Sequence, residues 1–291
     1  MIQRRTALKT IAAGAATIVT TGPLTHGLSQ TPSMPQLLKG NVRHSVCKWC
    51  YKHQSLEELA QAAQRIGLEA IDLVNVDDYP TLDKYGLKAA ITWGVPGGIT
   101  NGLNRVENHD AIIAYFEETL PLAAKGGSPN VICFSGNRDG MDDEQGLENC
   151  AIALKRIAPL AEKHGVTVIM ELLNSKRNHP DYMCDHTSWG VELCDRVGSD
   201  RFKLLYDIYH MQIMEGDVID TIREFHPYFA HYHTGGVPGR NEIDETQELN
   251  YPAIIQAIVD TGYKGYIAQE FIPAKQDALG SLEQAIRICD V

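Results

Sequence analysis

The sequence lacks an excess of positive charge: 26 lysine and arginine residues stand against 37 aspartate and glutamate residues, which gives a formal net charge of −11. Nucleic acids and anionic membrane surfaces bind proteins through basic faces. The negative net charge therefore argues against both kinds of partner, although it is compatible with a local basic pocket. The seven cysteines are odd in number and scattered in spacing, so they give no sign of a disulfide framework.

Two other common features are missing. An N-terminal apolar run, residues 11–21, is too short to cross a bilayer, which takes about 20 apolar residues. We therefore expect no stable membrane insertion. The glycine-rich stretch 94–102 lacks the Gly-Lys-Ser/Thr ending of a phosphate-binding loop, so it gives no indication of a nucleotide site.

Paired arginines, Arg4 and Arg5, precede the weakly hydrophobic, alanine-rich run near the N-terminus. This pattern is typical of a twin-arginine export signal. It predicts a signal segment over residues 1–30, a linker over 31–40 and a periplasmic location. If the basic N-terminus is not a functional signal, the expected location is cytoplasmic.

From residue 41 to residue 291 strand-like and helix-like stretches alternate without a change of pattern. The composition, 44% hydrophobic and 22% charged, is typical of a soluble globular protein. Eight strand–helix units in about 250 residues predict one catalytic domain of the α/β class, a single (β/α)₈ TIM barrel. An open, doubly wound sheet is the alternative. The predicted strands span 42–49, 70–74, 87–92, 130–134, 166–170, 202–206, 229–233 and 265–269. The predicted helices span 55–66, 79–85, 108–124, 142–164, 188–197, 216–225, 251–261 and 279–288.

Four successive predicted strands end in an acid or a histidine, namely Glu171, Asp207, His233 and Glu270. The spacing between them is roughly one strand-plus-helix unit per step. In a barrel, the carboxyl ends of the strands form the active-site face. One strand-end acid is often a helix cap, and one strand-end histidine is often a hydrogen-bonded core residue. Four such residues, each at the end of one of four successive strands, instead predict one shared site.

Three carboxylates close together repel one another and raise one another's pKa. A divalent cation removes that cost by supplying the missing positive charge. Oxygen-rich ligation with one imidazole favours Mn²⁺ or Mg²⁺, with Co²⁺, Fe²⁺ and Zn²⁺ as alternatives. The four strand-end residues therefore predict a metal centre.

The metal ion and the carboxylates of such a centre determine which reactions it can catalyse. An α-hydroxy carbonyl compound chelates a divalent ion, which acts as a Lewis acid and stabilises an enediolate. One carboxylate then removes a proton and a second carboxylate returns one. Return to the neighbouring carbon gives an isomerase, whereas return to the same carbon from the other face gives an epimerase. The residues leave both reactions open.

Three stretches, 171–174, 206–215 (YDIYHMQIME) and 265–270, resemble the hydroxypyruvate isomerase family. That family belongs to the xylose-isomerase-like barrels, together with the ketose 3-epimerases, and the resemblance covers most of the chain after about residue 44. It implies a divalent-metal-dependent isomerase of a small hydroxy-carbonyl substrate of the hydroxypyruvate/tartronate semialdehyde type. The ligands that it implies are Glu171, Asp207, His233 and Glu270.

The resemblance also implies that Glu171 and Glu270 are the catalytic acid and base, and that His210 and Arg240 contact substrate oxygens. Hydroxypyruvate isomerases carry glutamine at the seventh-strand ligand, where this chain has His233, as the sugar epimerases do. A ketose or keto-sugar epimerase is therefore the alternative.

Further candidates for substrate contacts are Trp49 at the end of strand one, Asn174 after strand five, and His186 in the polar loop that follows. Two other classes stay open. A metal-dependent hydrolase would need more histidines and a basic groove, against which the net charge speaks. A periplasmic sugar-binding protein would need no turnover. The expected partner in each enzymatic case is a small sugar or hydroxy-oxo acid, and a homo-oligomer is compatible with the sequence.

Overall fold

The computed structural model of the protein describes residues 37–291. The predicted signal segment and residues 31–36 of the predicted linker lie outside the described residues. From Arg43 onward the chain forms eight parallel strands that close in sequential order, and β1 pairs with β8. The predicted single (β/α)₈ barrel is confirmed, and the open sheet is wrong because no strand at the ends of the order is left unpaired in the described barrel.

The strands match the predicted ones to within one or two residues at most ends. They are β1 (Arg43–Cys47), β2 (Ala70–Val74), β3 (Lys88–Thr92), β4 (Asn130–Cys133), β5 (Thr167–Glu171), β6 (Phe202–Asp207), β7 (Phe229–Thr234) and β8 (Tyr266–Gln269). The helices in the described chain are α1 (Leu56–Ile66), α2 (Tyr79–Asp83), α3 (His109–Gly126), α4 (Asp143–His164), α5 (Thr187–Val197), α6 (Ile208–Met214), α7 (Val218–Phe225), α8 (Tyr251–Asp260) and α9 (Ala278–Cys289).

Helix α1 shows how local sequence sets these boundaries. The Ser55 side chain accepts from the Glu58 backbone N–H, and the Glu58 carboxylate accepts from the Ser55 backbone N–H, which is the capping box that the sequence predicts. Gly67 ends the helix with φ of 96°, a left-handed conformation that costs glycine little. Both ends of the helix therefore have their backbone groups satisfied.

Apolar side chains of the helices pack on the outside of the barrel. Phe116 of α3 and Leu154 of α4 are buried in the larger core, whereas Leu59 of α1 and Leu282 of α9 belong to a second core beside β1 and β2. Each fully buried side chain of this size contributes about 1.5–3 kcal/mol relative to an exposed one. No helix of the described chain has the length and apolar character to cross a bilayer.

The segment after β6 departs from the prediction. The sequence predicts one helix over 216–225, whereas the structure has α6 directly after the strand and then α7. Asp207 ends β6 and caps α6, because its Oδ1 accepts from the His210 backbone N–H at 3.1 Å. Asp207 thus both ends the strand and caps the helix, so no loop residues in the sequence mark a boundary between β6 and α6. The cap fixes His210 within one turn of Asp207.

Candidate metal centre and active site

The structure brings the four strand-end residues together. Glu171 is the last residue of β5, Asp207 is the last of β6, His233 lies near the end of β7, and Glu270 directly follows β8. Each offers one ligand atom, and these atoms all lie within 4.8 Å of one another. All four side chains are buried. They form a compact set of three carboxylates and one imidazole, which we call the strand-end cluster.

His233 lies at the middle of this cluster. Its Nδ1 is 2.7 Å from Oε2 of Glu270 and 3.4 Å from Oε1 of Glu171. Asp207 and His233 are register partners in β6 and β7, so their side chains leave neighbouring strands at the same height. The parallel register of the strands therefore brings the side chains of the strand-end cluster together.

The electrostatics of the cluster show a shortage of positive charge. Burial raises the pKa of Asp207 to about 8 against the opposing charge of Arg240, with Glu270 and Glu171 adding to the rise. Burial and the Glu270 carboxylate likewise raise the pKa of Glu171. Burial opposes ionisation of Glu270 as well, but His233 and Arg240 hold the pKa of that carboxyl well below its usual range.

The donor atoms of the cluster fit a divalent cation. Glu171 Oε1 and His233 Nδ1 are buried and have no hydrogen-bond partner of proper geometry in the described chain. A buried polar atom without a partner costs about 1–3 kcal/mol. A cation coordinated by these atoms would satisfy both and would offset the repulsion among the carboxylates. Three carboxylates and one imidazole suit Mn²⁺ or Mg²⁺ and admit Co²⁺, Fe²⁺ or Zn²⁺, so the chemistry of the set does not choose one metal.

Arg240 brings the positive charge nearest to the cluster. Its Nη2 donates to Asp207 Oδ2 at 2.9 Å and also to Glu270 Oε2. The guanidinium is buried and lies against the rings of Trp49 and Tyr209. Arg240 itself has φ of 59°, an uncommon conformation for a residue with a side chain. The loop after β7 therefore directs this side chain into the site.

His210 and Asn174 form a connected pair beside the cluster. Arg240 Nη1 lies 2.5 Å from His210 Nε2, and the Asn174 backbone N–H donates to His210 Nδ1 at 3.1 Å. Burial and the charge of Arg240 lower the pKa of His210 well below its ordinary value, so the imidazole is neutral. His210 is thus held in place from both ring nitrogens, and Asn174 contacts it directly.

A cavity of about 420 Å³ opens beside the cluster. Most of the side chains that line it are apolar or aromatic, and the others are polar or charged. Its lining residues are Trp49, Leu73, Trp93, Ile99, Phe134, Glu171, Leu173, His179, Arg240 and Glu270. Trp49 Nε1 donates to Glu270 Oε1 at 2.7 Å, so this predicted pocket residue also positions a carboxylate of the cluster.

His186 lies apart from the other predicted site residues. Its side chain is about half exposed, its Nδ1 is 2.8 Å from Asp185 Oδ1, and it does not line the cavity. Asp185 is in turn paired with Arg138 at 3.1 Å. The loop after β5 therefore directs His186 toward the Asp185–Arg138 ion pair, while His179 of the same loop reaches the cavity.

Several cavity residues are absent from the sequence-based list. Trp93 directly follows β3 and Phe134 directly follows β4, which is the same strand-end position that identified the acids. Applying that rule to apolar residues would have found both. Leu73 lies within β2 and Ile99 lies in the loop after β3, so neither has such a signal.

The comparisons with known proteins agree with the fold. The sequence pattern that describes the xylose isomerase-like TIM barrel matches residues 48–289. The chain belongs to this family. The predicted resemblance to xylose-isomerase-like barrels is therefore confirmed, and it extends over nearly all of the described barrel.

Individual relatives carry isomerase and epimerase names. A 2-oxo-tetronate isomerase from Pectobacterium atrosepticum is 26% identical, over 77% of this chain and 89% of that protein. The hydroxypyruvate isomerase of Escherichia coli is 28% identical, over 50% of this chain and 57% of its own length. The crystal structure of D-psicose 3-epimerase from Clostridium cellulolyticum superposes with a TM-score of 0.66 at 17% identity, covering 86% of this chain and 96% of the epimerase. That last likeness concerns the fold alone. The prediction of an enzyme of the isomerase class is confirmed by the relatives named as isomerases.

Proposed function

We propose that this protein is a divalent-metal-dependent isomerase of a small hydroxy-carbonyl substrate, of the hydroxypyruvate/tartronate semialdehyde type. The observation that supports it best is the strand-end cluster, in which Glu171 and Glu270 flank Asp207 and His233 around a position suited to one cation. Relatives named for isomerisation of hydroxypyruvate and 2-oxo-tetronate point to the same substrate class.

A cation held by the strand-end cluster would supply Lewis acidity that polarises the substrate carbonyl. The proton transfers fall to Glu171 and Glu270. Glu270 receives hydrogen bonds from Trp49 and Arg240, which stabilise it as a carboxylate. Glu171 would hold the cation through Oε1, which leaves its other carboxylate oxygen available to carry a proton. One glutamate removes the proton next to the carbonyl and the other returns one.

Arg240 and His210 bind and orient substrate oxygens in this proposal. The guanidinium presents a planar fork of donors that matches a carboxylate or a pair of hydroxyls. The neutral His210 ring is engaged at both nitrogens, Nδ1 by Asn174 and Nε2 by Arg240, and it does not line the cavity, so in this proposal a substrate oxygen reaches it by displacing the Arg240 contact. The aromatic and aliphatic wall excludes water from the reacting carbon, which strengthens these polar contacts.

A ketose or keto-sugar epimerase is the second candidate, and the cavity favours it. Pockets of about 300–1,000 Å³ hold drug-sized ligands. The cavity here, about 420 Å³, falls in that range and exceeds the needs of a three-carbon acid. The histidine at the seventh-strand position also agrees with the sugar epimerases, as the sequence indicates.

One experiment tests the proton chemistry before the product is known. The Mn²⁺-loaded protein is incubated in D₂O with hydroxypyruvate, with several ketoses and with a matched deoxy-ketose that lacks the reacting hydroxyl. We expect deuterium to enter only at the two carbons of the enediolate of the true substrate, at the former carbonyl carbon in an isomerase and at the deprotonated carbon in an epimerase, and to require both the metal and an intact Glu171 or Glu270. Formation of an aldehyde isomer identifies the isomerase, and inversion at the deprotonated carbon identifies the epimerase. Metal loading without deuterium uptake from any member of the panel would contradict both.

A further inference from the structure

The two ring nitrogens of His233 face opposite environments. Nδ1 points to Glu270 and Glu171 in the strand-end cluster. Nε2 points away from it, 3.4 Å from Oδ2 of Asp72 and 3.6 Å from Sγ of Cys47. Asp72, Cys47 and His233 are all fully buried. The His233 ring therefore lies between the strand-end cluster and the separate Asp72 carboxylate inside the barrel.

Asp72 has a second imidazole partner. Its Oδ2 lies 2.6 Å from Nε2 of His231. His231 and His233 occupy alternate positions of β7, so both side chains point into the barrel, and their ring centroids are 5.1 Å apart. One carboxylate from β2 thus lies against two histidines of β7, across the interior of the barrel. Neither Asp72 nor His231 lines the cavity, so neither contacts a substrate held there.

The backbone around Asp72 is irregular where this contact is made. The pairing of β2 with β3 shifts register on both sides of Asp72, and the next residue, Leu73, has φ of 59°. In a regular strand, neighbouring side chains point to opposite faces. Here Asp72 reaches the interior histidines while Leu73 lines the cavity. Bulges of this kind redirect side chains, and such strain persists where the surroundings hold it in place.

We propose that Asp72, held by His231, accepts the Nε2–H of His233 and so directs the Nδ1 lone pair of His233 at the metal position. The proposal rests on the metal centre of the proposed function and gives Asp72 and His231 positioning roles. A carboxylate behind a metal-bound histidine fixes the ring and makes it a better ligand, and its loss typically costs about 10–100-fold in metal affinity. The Cys47 thiol does not replace Asp72, because burial raises the pKa of the thiol well above its ordinary value and keeps it neutral.

The first test measures Mn²⁺ affinity by electron paramagnetic resonance of the free ion. Asp72→Asn keeps the size of the side chain but can turn its amide N–H₂ toward His233, which favours the wrong tautomer. We expect the Kd for Mn²⁺ to rise about 10–100-fold. Glu242→Gln is the matched control, since Glu242 is also a buried carboxylate but binds the backbone of Ala274 and Lys275 instead. Its Kd should equal that of the parent.

A folded Asp72→Asn variant with the parental Kd would overturn the proposal. His231→Gln should raise the Kd by a smaller factor, because it loosens Asp72 without removing it. If the parent itself fails to bind divalent metal, the proposed function fails together with this inference. If the parent binds and the Asp72→Asn variant binds equally well, only the positioning role is lost.

The second test needs no variant and therefore does not depend on folding of a mutant. Nitrogen-15 NMR of histidine-labelled parent, loaded with diamagnetic Zn²⁺, reports which ring nitrogen carries the proton. We expect the His233 signal to show a protonated Nε2 and a metal-bound Nδ1. The opposite pattern, with Nε2 bound to the metal, would contradict the orientation that Asp72 is proposed to impose.

Discussion

The Arg240 guanidinium lies 2.9 Å from the Asp207 carboxylate, and both groups are buried inside the barrel mouth. The same nitrogen of Arg240 reaches Glu270. A side chain proposed to bind substrate therefore also contacts two members of the strand-end cluster and carries the charge opposite to the Glu270 carboxylate. A buried carboxylate that loses its partner is strongly destabilising, because its charge stays uncompensated.

The first prediction follows from that contact. Arg240→Met should lower the free energy of unfolding of the metal-free protein by about 3–5 kcal/mol, the usual cost of leaving a buried charge unpaired. Added Mn²⁺ should restore most of the loss, because a bound ion supplies the missing charge and stabilises the folded state. Urea unfolding with EDTA and with excess Mn²⁺ measures both effects. Arg138→Met is the control, since Arg138 pairs with Asp143 and Asp185 outside the cluster. An equal loss with and without Mn²⁺ for Arg240→Met would contradict the prediction.

The second prediction concerns the ligands themselves. Asp207→Ala and His233→Ala should each give a folded protein that no longer retains stoichiometric divalent metal, because each removes one of four converging donors. Circular dichroism verifies folding, and elemental analysis after gel filtration gives the metal content. His186→Ala should retain full metal, since His186 lies away from the cluster against Asp185. Full metal content in both ligand variants would show that the site is misassigned.

The barrel was predictable from the sequence because each strand-plus-helix unit carries its own signal. Ser55 and Glu58 mark the start of α1, and polar strand ends mark the active-site face. Glu171 could be recognised because it terminates an apolar run, and that position alone determines where it lies in a barrel. These features are local, so tertiary packing did not overturn them.

The interior partners of the cluster were not predicted, because they depend on contacts between distant strands. Asp72 lies within β2 and His231 lies within β7, and only closure of the barrel brings them to 2.6 Å. A signal did exist: Asp72 is a charged residue within an otherwise apolar buried strand. Such a residue needs a buried partner, but the sequence does not say which one.

The third prediction concerns pH and lies far from the metal centre. His44 of β1 is buried, and burial lowers its pKa to about 4 against the opposing charges of Asp290 and Glu69. As pH falls from 6.5 toward 4, the unfolded chain gains a proton at His44 while the folded chain does not. The contribution of His44 to the free energy of unfolding is therefore fully present above pH 6.5 and declines by about 1.4 kcal/mol per pH unit between pH 6.5 and about 4.

Replacement of His44 should remove this dependence. Urea unfolding of the parent and of His44→Gln at neutral pH and at two lower pH values gives the difference in free energy between them. That difference should shift in favour of the variant by about 1.4 kcal/mol for each pH unit below the ordinary histidine pKa. A difference that stays constant with pH would show that His44 does not control this part of the profile.

The fourth prediction tests the export that we propose from the arginine pair. Changing Arg4 and Arg5 to lysine should keep the protein in the cytoplasm, folded and loaded with metal, because this route suits proteins that acquire their metal before export. Cell fractionation with metal analysis measures the outcome. The control changes Arg65 and Arg287 to lysine and should not affect delivery. Export of the Arg4/Arg5 variant at the parental level, or absence of the parent from the periplasm, would refute the proposal.

The fifth prediction separates metal binding from proton transfer. A glutamate-to-glutamine change keeps an oxygen for the metal but removes the group that accepts a proton. Glu171→Gln and Glu270→Gln should therefore lose little metal affinity, whereas turnover should fall by about 10²-fold or more. His210→Asn should mainly raise KM if His210 only positions a substrate oxygen. With one glutamate replaced, deuterium exchange at the substrate carbon should persist from the remaining face while net conversion stops. Near-parental turnover in both metal-loaded glutamine variants would rule out the two-carboxylate mechanism.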